Sequence, residues 1–166
     1  MQRPVFLFSL DTEQFYGPPM TTGALKANFL ARGRTAGATD VRLVHFRDRA
    51  DVMHWLQNDW PKEIAPLARE ALAAGVQPVF GLSCYTWNVA EFLTLARTVK
   101  RQIPGALVVA GGPHVQRAED FLFEDGIDAV VLGEGETTFT ELLDCKDRSA
   151  WGDVAGLAFL TFDGTP

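Results

Sequence analysis

The chain has 166 residues, 47% of them hydrophobic and 22% charged, with a formal net charge of −6. That is one domain's worth of sequence, enough to bury a single core without metals or disulfides. The acidic balance argues against nucleic acid or an anionic membrane as partner, Cys84 and Cys145 make no disulfide framework, and the apolar run 5–10 is too short for a signal core or a membrane span, so the expected compartment is the cytoplasm.

Taken in chain order, the first apolar run, 5–10, is followed by a long loop rich in turn formers and aromatics, from Asp11 to Pro19. A weakly patterned helix is expected over 24–32, a second apolar run covers 41–46, and a further helix is expected over 52–60. Another helix leads to Ala71 and Leu72 and stops at Gly75, a natural residue to follow a helix. The third apolar run is 79–83. The clearest helix then opens at Asn88, with Glu91 three residues on as an approximate capping box. Val89, Phe92, Leu93, Ala96, Val99 and Ile103 share one face, and Pro104-Gly105 ends it. Runs four and five are 106–110 and 129–132, and a last helix is read as opening at Thr138, with Phe139, Leu142 and Leu143 inward. Residues 156–162 read as a strand, and Asp163-Gly164 is a hairpin-turn signal. A turn with no return strand reads as the cut end of a longer polypeptide. The expected division is a domain over 1–155 and the start of a linker or hairpin over 156–166.

Continuous apolar runs alternating with helices predict parallel strands covered on both faces. The fold class expected is α/β: a Rossmann-like or flavodoxin-like three-layer sandwich with a five-stranded parallel sheet in the order 2-1-3-4-5. Ligands of such sheets bind outside the carboxyl ends of the strands, so the loops after the strands carry the functional question.

After the third run comes Ser83-Cys84-Tyr85-Thr86-Trp87-Asn88. Ser83 could bond a buried ligand, and Tyr85 and Trp87 could lie against a flat ring or simply pack in the core. Cys84 has no cationic neighbour and reads as a small apolar residue rather than a nucleophile. After the fourth run, Gly111-Gly112-Pro113-His114 either lets the backbone approach a ligand closely or makes a plain turn. His114 is a ligand, a general base or a polar surface group. After the fifth run, Gly133-Glu134-Gly135-Glu136-Thr137 leads into a helix N-terminus, which suits a polar ligand tail or only complements the helix dipole. The two glutamates favour hydroxyls and amides over bare phosphate. No dinucleotide-binding glycine pattern follows the first run, no phosphate-cradling loop is present, and no Cys/His set has zinc or iron–sulfur spacing.

In this order and spacing, the segments 81–88, Gly111–His114 and Gly133–Thr137, with Phe139, Leu142 and Leu143 beyond, resemble the N-terminal cobalamin (B12)-binding domain of cobalamin-dependent radical SAM enzymes. The resemblance is strongest over 79–143. It implies a corrin over the carboxyl ends of the strands and a nucleotide tail running down between sheet and helices. Ser83 and the Gly111-Gly112 pair would admit that tail, and the loop Gly133, Glu134, Gly135, Glu136 and Thr137 would border it. Cys84, Tyr85, Thr86, Trp87, Pro113 and His114 would stand near the pocket, with Glu13, Tyr16 and Gly17 in the loop after strand one. Many B12 domains carry D-x-H-x-x-G in that loop, whose histidine ligates cobalt. Here Asp11-Thr-Glu13-Gln-Phe-Tyr16-Gly17 has Glu13 in its place, which implies base-off cobalamin with no histidine ligand. His45, inside strand two, and His54, on a helix, are not placed to serve. The C-x-x-x-C-x-x-C motif of radical SAM barrels is missing from these residues.

The function so implied is that of a cofactor carrier, not catalytic alone and binding no metal cluster of its own. Its partner would be the radical SAM barrel of the same parent chain, where a [4Fe-4S] cluster and S-adenosylmethionine bind. The parent would be a methyltransferase acting on a substrate carbon. The alternatives are a parent performing cyclisation or rearrangement, and a stand-alone flavodoxin-like module for ligand binding or interaction.

Overall fold

The structure is a computed structural model that describes residues 1–11 and 17–161. Strand β1 (Arg3–Leu10) is apolar on both faces and lies inside the sheet, between β2 (Thr39–Phe46) and β3 (Val79–Ser83). Strands β4 (Leu107–Gly111) and β5 (Ala129–Val131) continue it in parallel. A two-residue β6 (Leu157–Ala158) then pairs antiparallel with β5. The sheet is therefore six-stranded, in the order 2-1-3-4-5-6. The expected parallel order 2-1-3-4-5 holds, with the sixth strand added beyond β5. The sixth strand is what remains of the apolar run read over 156–162, and Asp163-Gly164 lies outside the described residues.

Helices cover both faces. Helices α1 (Met20–Arg32) and α6 (Gly135–Asp144) lie on one, over a core of Val5, Leu7, Val79, Val109, Phe139 and Leu142. Helices α2 (Arg49–Gln57), α3 (Ala65–Ala73), α4 (Val89–Gln102) and α5 (Glu119–Leu122) lie on the other. There Phe6, Phe8 and Phe80 stack along the sheet, and Trp55 and Trp60 meet them edge-on. The chain leaves β1 toward β2 over one face and returns to β3 over the other. The strand order therefore reverses between β1 and β3, which opens a crevice at their carboxyl ends.

Helix α1 opens at Met20, a turn before the expected residue 24, and three further helix boundaries differ from expectation, each for a local reason. Helix α2 opens at Arg49, before the expected Val52, because the Asp48 side chain accepts the Asp51 N–H at 2.9 Å and caps it. It also ends sooner: Pro61 has no N–H to continue the ladder, and a wide π-type turn (Trp60–Ile64) carries the chain into α3. Helix α6 opens one turn before Thr138, at Gly135, so most of the expected 133–137 loop is the first turn of a helix. Thr138 instead donates its hydroxyl to the Ala155 carbonyl at 2.7 Å and pins the segment that enters β6. At α4 the expected Asn88–Glu91 capping box does not form. Asn88 is fully buried and folds back, accepting the Tyr85 N–H at 2.8 Å and donating to the Ser83 carbonyl at 3.0 Å. Buried backbone groups at the strand end claim its amide first, and Glu91 pairs with Arg49 at 3.2 Å.

Candidate functional site

At the crevice a cavity of about 360 Å³ opens between the sheet and the pair α1/α6. Its sheet wall is Gly81 and Ser83 of β3, Val109 and Gly111 of β4, and Val131 of β5. Thr21, Thr22 and Leu25 of α1 and Phe139 of α6 form the helical wall, with Gly112, Pro113 and the 133–136 segment at the mouth. The two helices are held together over it by Asn28, whose amide donates to the Glu136 carbonyl at 2.7 Å and the Thr140 hydroxyl at 2.9 Å.

The space exists because the sheet wall lacks a side chain at Gly111, level with Ser83 and beside Val131. At Gly81 the room is taken up: a Cβ there would lie 2.7 Å from Leu7 Cδ2 and 3.6 Å from the Phe139 ring, so the missing side chain lets these two close the lower end of the cavity. Gly112 has a different task. Its φ is +103°, and a Cβ there would lie 2.8 Å from the Cys84 carbonyl oxygen. Only glycine fits this close approach of the two strand-end loops. A Cβ on Gly111, by contrast, would meet Val131 at ordinary contact distance, 3.4 Å or more.

Of the residues singled out in the sequence, Ser83, Gly111, Gly112, Pro113, Gly133, Glu134, Gly135 and Glu136 come together around this cavity. Ser83 is buried, and its hydroxyl is 3.2 Å from that of Thr21. Cys84 points the other way, into the core beneath α4, where burial pushes its thiol up to about 12. Its role at the site is carried by its backbone, which bonds Gly111 O at 2.7 Å and His114 N at 3.1 Å. Tyr85 and Trp87 stack on each other, centroids 4.5 Å apart, and the Trp87 indole donates to the Leu10 carbonyl at 3.0 Å. They form an aromatic shelf over the end of β1, with Trp87 40% exposed. His114 sits edge-on to Phe121, its Nδ1 3.5 Å from the Thr86 hydroxyl and outside the cavity lining. Thr137 is exposed on the first turn of α6. Gly17 donates its N–H to Asp11 at 3.2 Å, and Glu13 and Tyr16 lie outside the described residues.

Sequence reasoning missed the α1 wall and a polar cluster beside it. Thr21, Thr22 and Leu25 precede or begin a helix whose pattern is too weak to assign a face. The cluster joins Ser9, Asp11 and His45: the imidazole Nδ1 is 2.8 Å from the Ser9 hydroxyl, and Nε2 is 3.2 Å from the Asp11 carboxylate. The Ser9 hydroxyl also lies 3.4 Å from that of Thr22. Parallel register sets Ser9 opposite His45, and the alternation of side chains along both strands was the one signal available. Among the described residues no three His, Cys, Asp or Glu side chains are grouped to hold a metal ion, and no helix is long and apolar enough to cross a membrane.

Residues 49–143, more than half of the chain, match the model of the B12 binding domain. A stretch of 78 residues is 50% identical to 2-(S-pantetheinyl)-carbapenam-3-carboxylate methyltransferase of Streptantibioticus cattleyicolor, covering 45% of this chain and 12% of that protein. The cobalamin-dependent radical SAM methyltransferase TokK of Streptomyces tokunonensis is 42% identical over 82 residues, 48% of this chain and 12% of its own length. The hopanoid C-3 methylase of Methylococcus capsulatus is 34% identical over 86 residues, 49% of this chain and 17% of its own. The chain thus matches less than a fifth of each of these longer methyltransferases. It belongs to the B12 binding domain family.

Proposed function

We propose that the chain holds cobalamin, with the nucleotide tail in the cavity between the sheet and α1/α6 and the corrin over the carboxyl edge of the sheet. The cavity itself carries this reading. It is a slot at the carboxyl edge of the sheet beside the switch point, left open by the missing side chain at Gly111 and bordered by hydroxyls at Thr21 and Ser83. Ser83, Gly111, Gly112 and the 133–137 segment would hold the tail. Tyr85, Thr86, Trp87, Pro113 and His114 would border the ring system, with Glu13, Tyr16 and Gly17 supplied from the loop after β1. Cys84 would contribute through its backbone alone.

When bound, the cofactor supplies a cobalt that can accept a methyl group from S-adenosylmethionine and release it to a substrate carbon. The chain's own contribution is to bind, to orient and to exclude water. The Ser83 hydroxyl and the first-turn N–H groups of α6, which no side chain caps, would bind the tail's polar groups. The Tyr85–Trp87 shelf would shield the ring system from solvent. With cysteines only at 84 and 145, the iron–sulfur cluster and its S-adenosylmethionine would belong to a radical SAM barrel elsewhere in the parent chain, of which 1–155 would be the cobalamin domain. The cobalamin would be base-off. His45 is engaged on both ring nitrogens, and His114 follows the glycine pair that would line the tail, outside the cavity lining, so this reading sets both away from the cobalt.

Electron paramagnetic resonance of the cob(II)alamin form tests this. Cobalt lines without a nitrogen triplet are expected. A triplet that disappears in His114→Ala would overturn the assignment of the lower face.

A further inference from the structure

The cavity is polar only at its mouth. Strand register places Ser83 level with Gly111, and one pleat repeat deeper Gly81 level with Val109. The helices run down from the same edge, so Thr21 and Thr22 stand at the mouth and Leu25 a turn below. Likewise Glu134 and Glu136 stand at the mouth and Phe139 a turn below. Every polar side chain of the lining therefore belongs to the upper level, and the floor is Leu25, Gly81, Val109 and Phe139. The floor's backbone offers nothing either, since β3 and β4 are paired on both sides within the sheet and the helical groups are bonded internally. The ring edge of Phe139 comes within 3.6 Å of the position a Cβ on Gly81 would take, so the floor is closed.

We infer that this floor selects the base at the end of the cofactor's nucleotide tail, accepting a dimethylbenzimidazole and discriminating against a purine. The inference rests on the cobalamin reading above. A dimethylbenzimidazole base-off tail brings one ring-nitrogen acceptor and two methyl groups to the floor. An adenine brings an exocyclic amine and additional ring-nitrogen acceptors. Each polar atom desolvated there without a partner weakens binding, whereas the methyl groups gain contact with Leu25, Val109 and Phe139. A site with no complementary group cannot compensate a purine.

The test is a visible-absorption titration of the chain with three hydroxo-corrinoids: hydroxocobalamin, its adenine-tailed counterpart, and cobinamide, which has no nucleotide. Each affinity is corrected for the free corrinoid's own base-release equilibrium, measured from its absorption against pH. Hydroxocobalamin is expected to bind at least about tenfold more tightly than the adenine form, a difference of about 1.4 kcal/mol. Val109→Thr, which keeps the shape and puts a hydroxyl on the floor, is expected to narrow that ratio. Equal affinity for the two tailed corrinoids, both above cobinamide, would overturn the selectivity while leaving the cobalamin reading intact. A ratio unmoved by Val109→Thr would overturn the assignment to the floor. Equal affinity for all three would show the tail outside the cavity and overturn the inference too. Binding of none would overturn the cobalamin reading and the inference with it.

Discussion

Gly111 and Gly112 are adjacent and alike in sequence, yet they do different things. Gly112 keeps two strand-end loops in contact at a positive φ, so Gly112→Ala should destabilise the fold by about 2 kcal/mol or more. Gly111→Ala should cost well under half of that. Urea denaturation of the two variants checks the contrast, and equal losses would contradict it. Burial likewise separates Cys84 from its chemistry. With its thiol pushed up to about 12, it should resist iodoacetamide at pH 8 in the folded chain and react once the chain is unfolded. Rapid native-state labelling at Cys84 would contradict that placement. These residues were legible as a pair of strand-end motifs, since glycines and hydroxyls after apolar runs are visible in one dimension. Which atoms they use was not legible. It depends on the approach of 84 to 112, which sequence spacing does not show. The Asp11–His45 contact, 34 residues apart, was hidden for the same reason. His45→Phe should cost about 1 kcal/mol by taking one partner each from Ser9 and Asp11, which keep Thr22 and Gly17, and unchanged stability in urea would show the cluster to be incidental.

At the scale of elements, α1 and α6 act as one wall, tied at the top by Asn28 and at the bottom by Asp144. Asp144 is 7% exposed. Burial alone would raise its pKa, but hydrogen bonds from the Arg34 and Thr35 N–H groups and from the Thr35 hydroxyl hold it below the usual carboxylate range. A carboxyl depressed in the folded state stabilises it above the unfolded pKa, and that contribution is lost as pH falls through the folded value. The chain should therefore lose stability below about pH 4. Asp144→Asn should be less stable at pH 7 by about 1–2 kcal/mol and show a shallower acid decline. A steeper decline in the variant would contradict the sign. The strong 3.6-residue period of α4 made it visible in the sequence. The walls of the site were less visible because α1 has a mixed pattern and no capping side chain, and because Gly133 turns the chain into α6 a turn before its apolar residues begin.

At the scale of the molecule, the five parallel strands followed from continuous apolar runs, and the antiparallel sixth did not. Two residues of pairing on an edge leave little periodicity to read, and β6 is set by the Thr138 anchor and by Leu132 N–H bonding Gly156 O at 2.8 Å. The topology places a cavity at the carboxyl edge of the sheet, between β3–β5 and the pair α1/α6. If this cavity receives the tail of a cobalamin, the chain should carry the corrin through gel filtration after incubation with hydroxocobalamin. The wild-type chain should emerge coloured and Gly111→Leu, which fills the slot without straining the backbone at Gly112, should emerge colourless. A wild-type chain that emerges colourless from high-micromolar cobalamin, or a Gly111→Leu chain that retains the corrin as well as wild type, would contradict it.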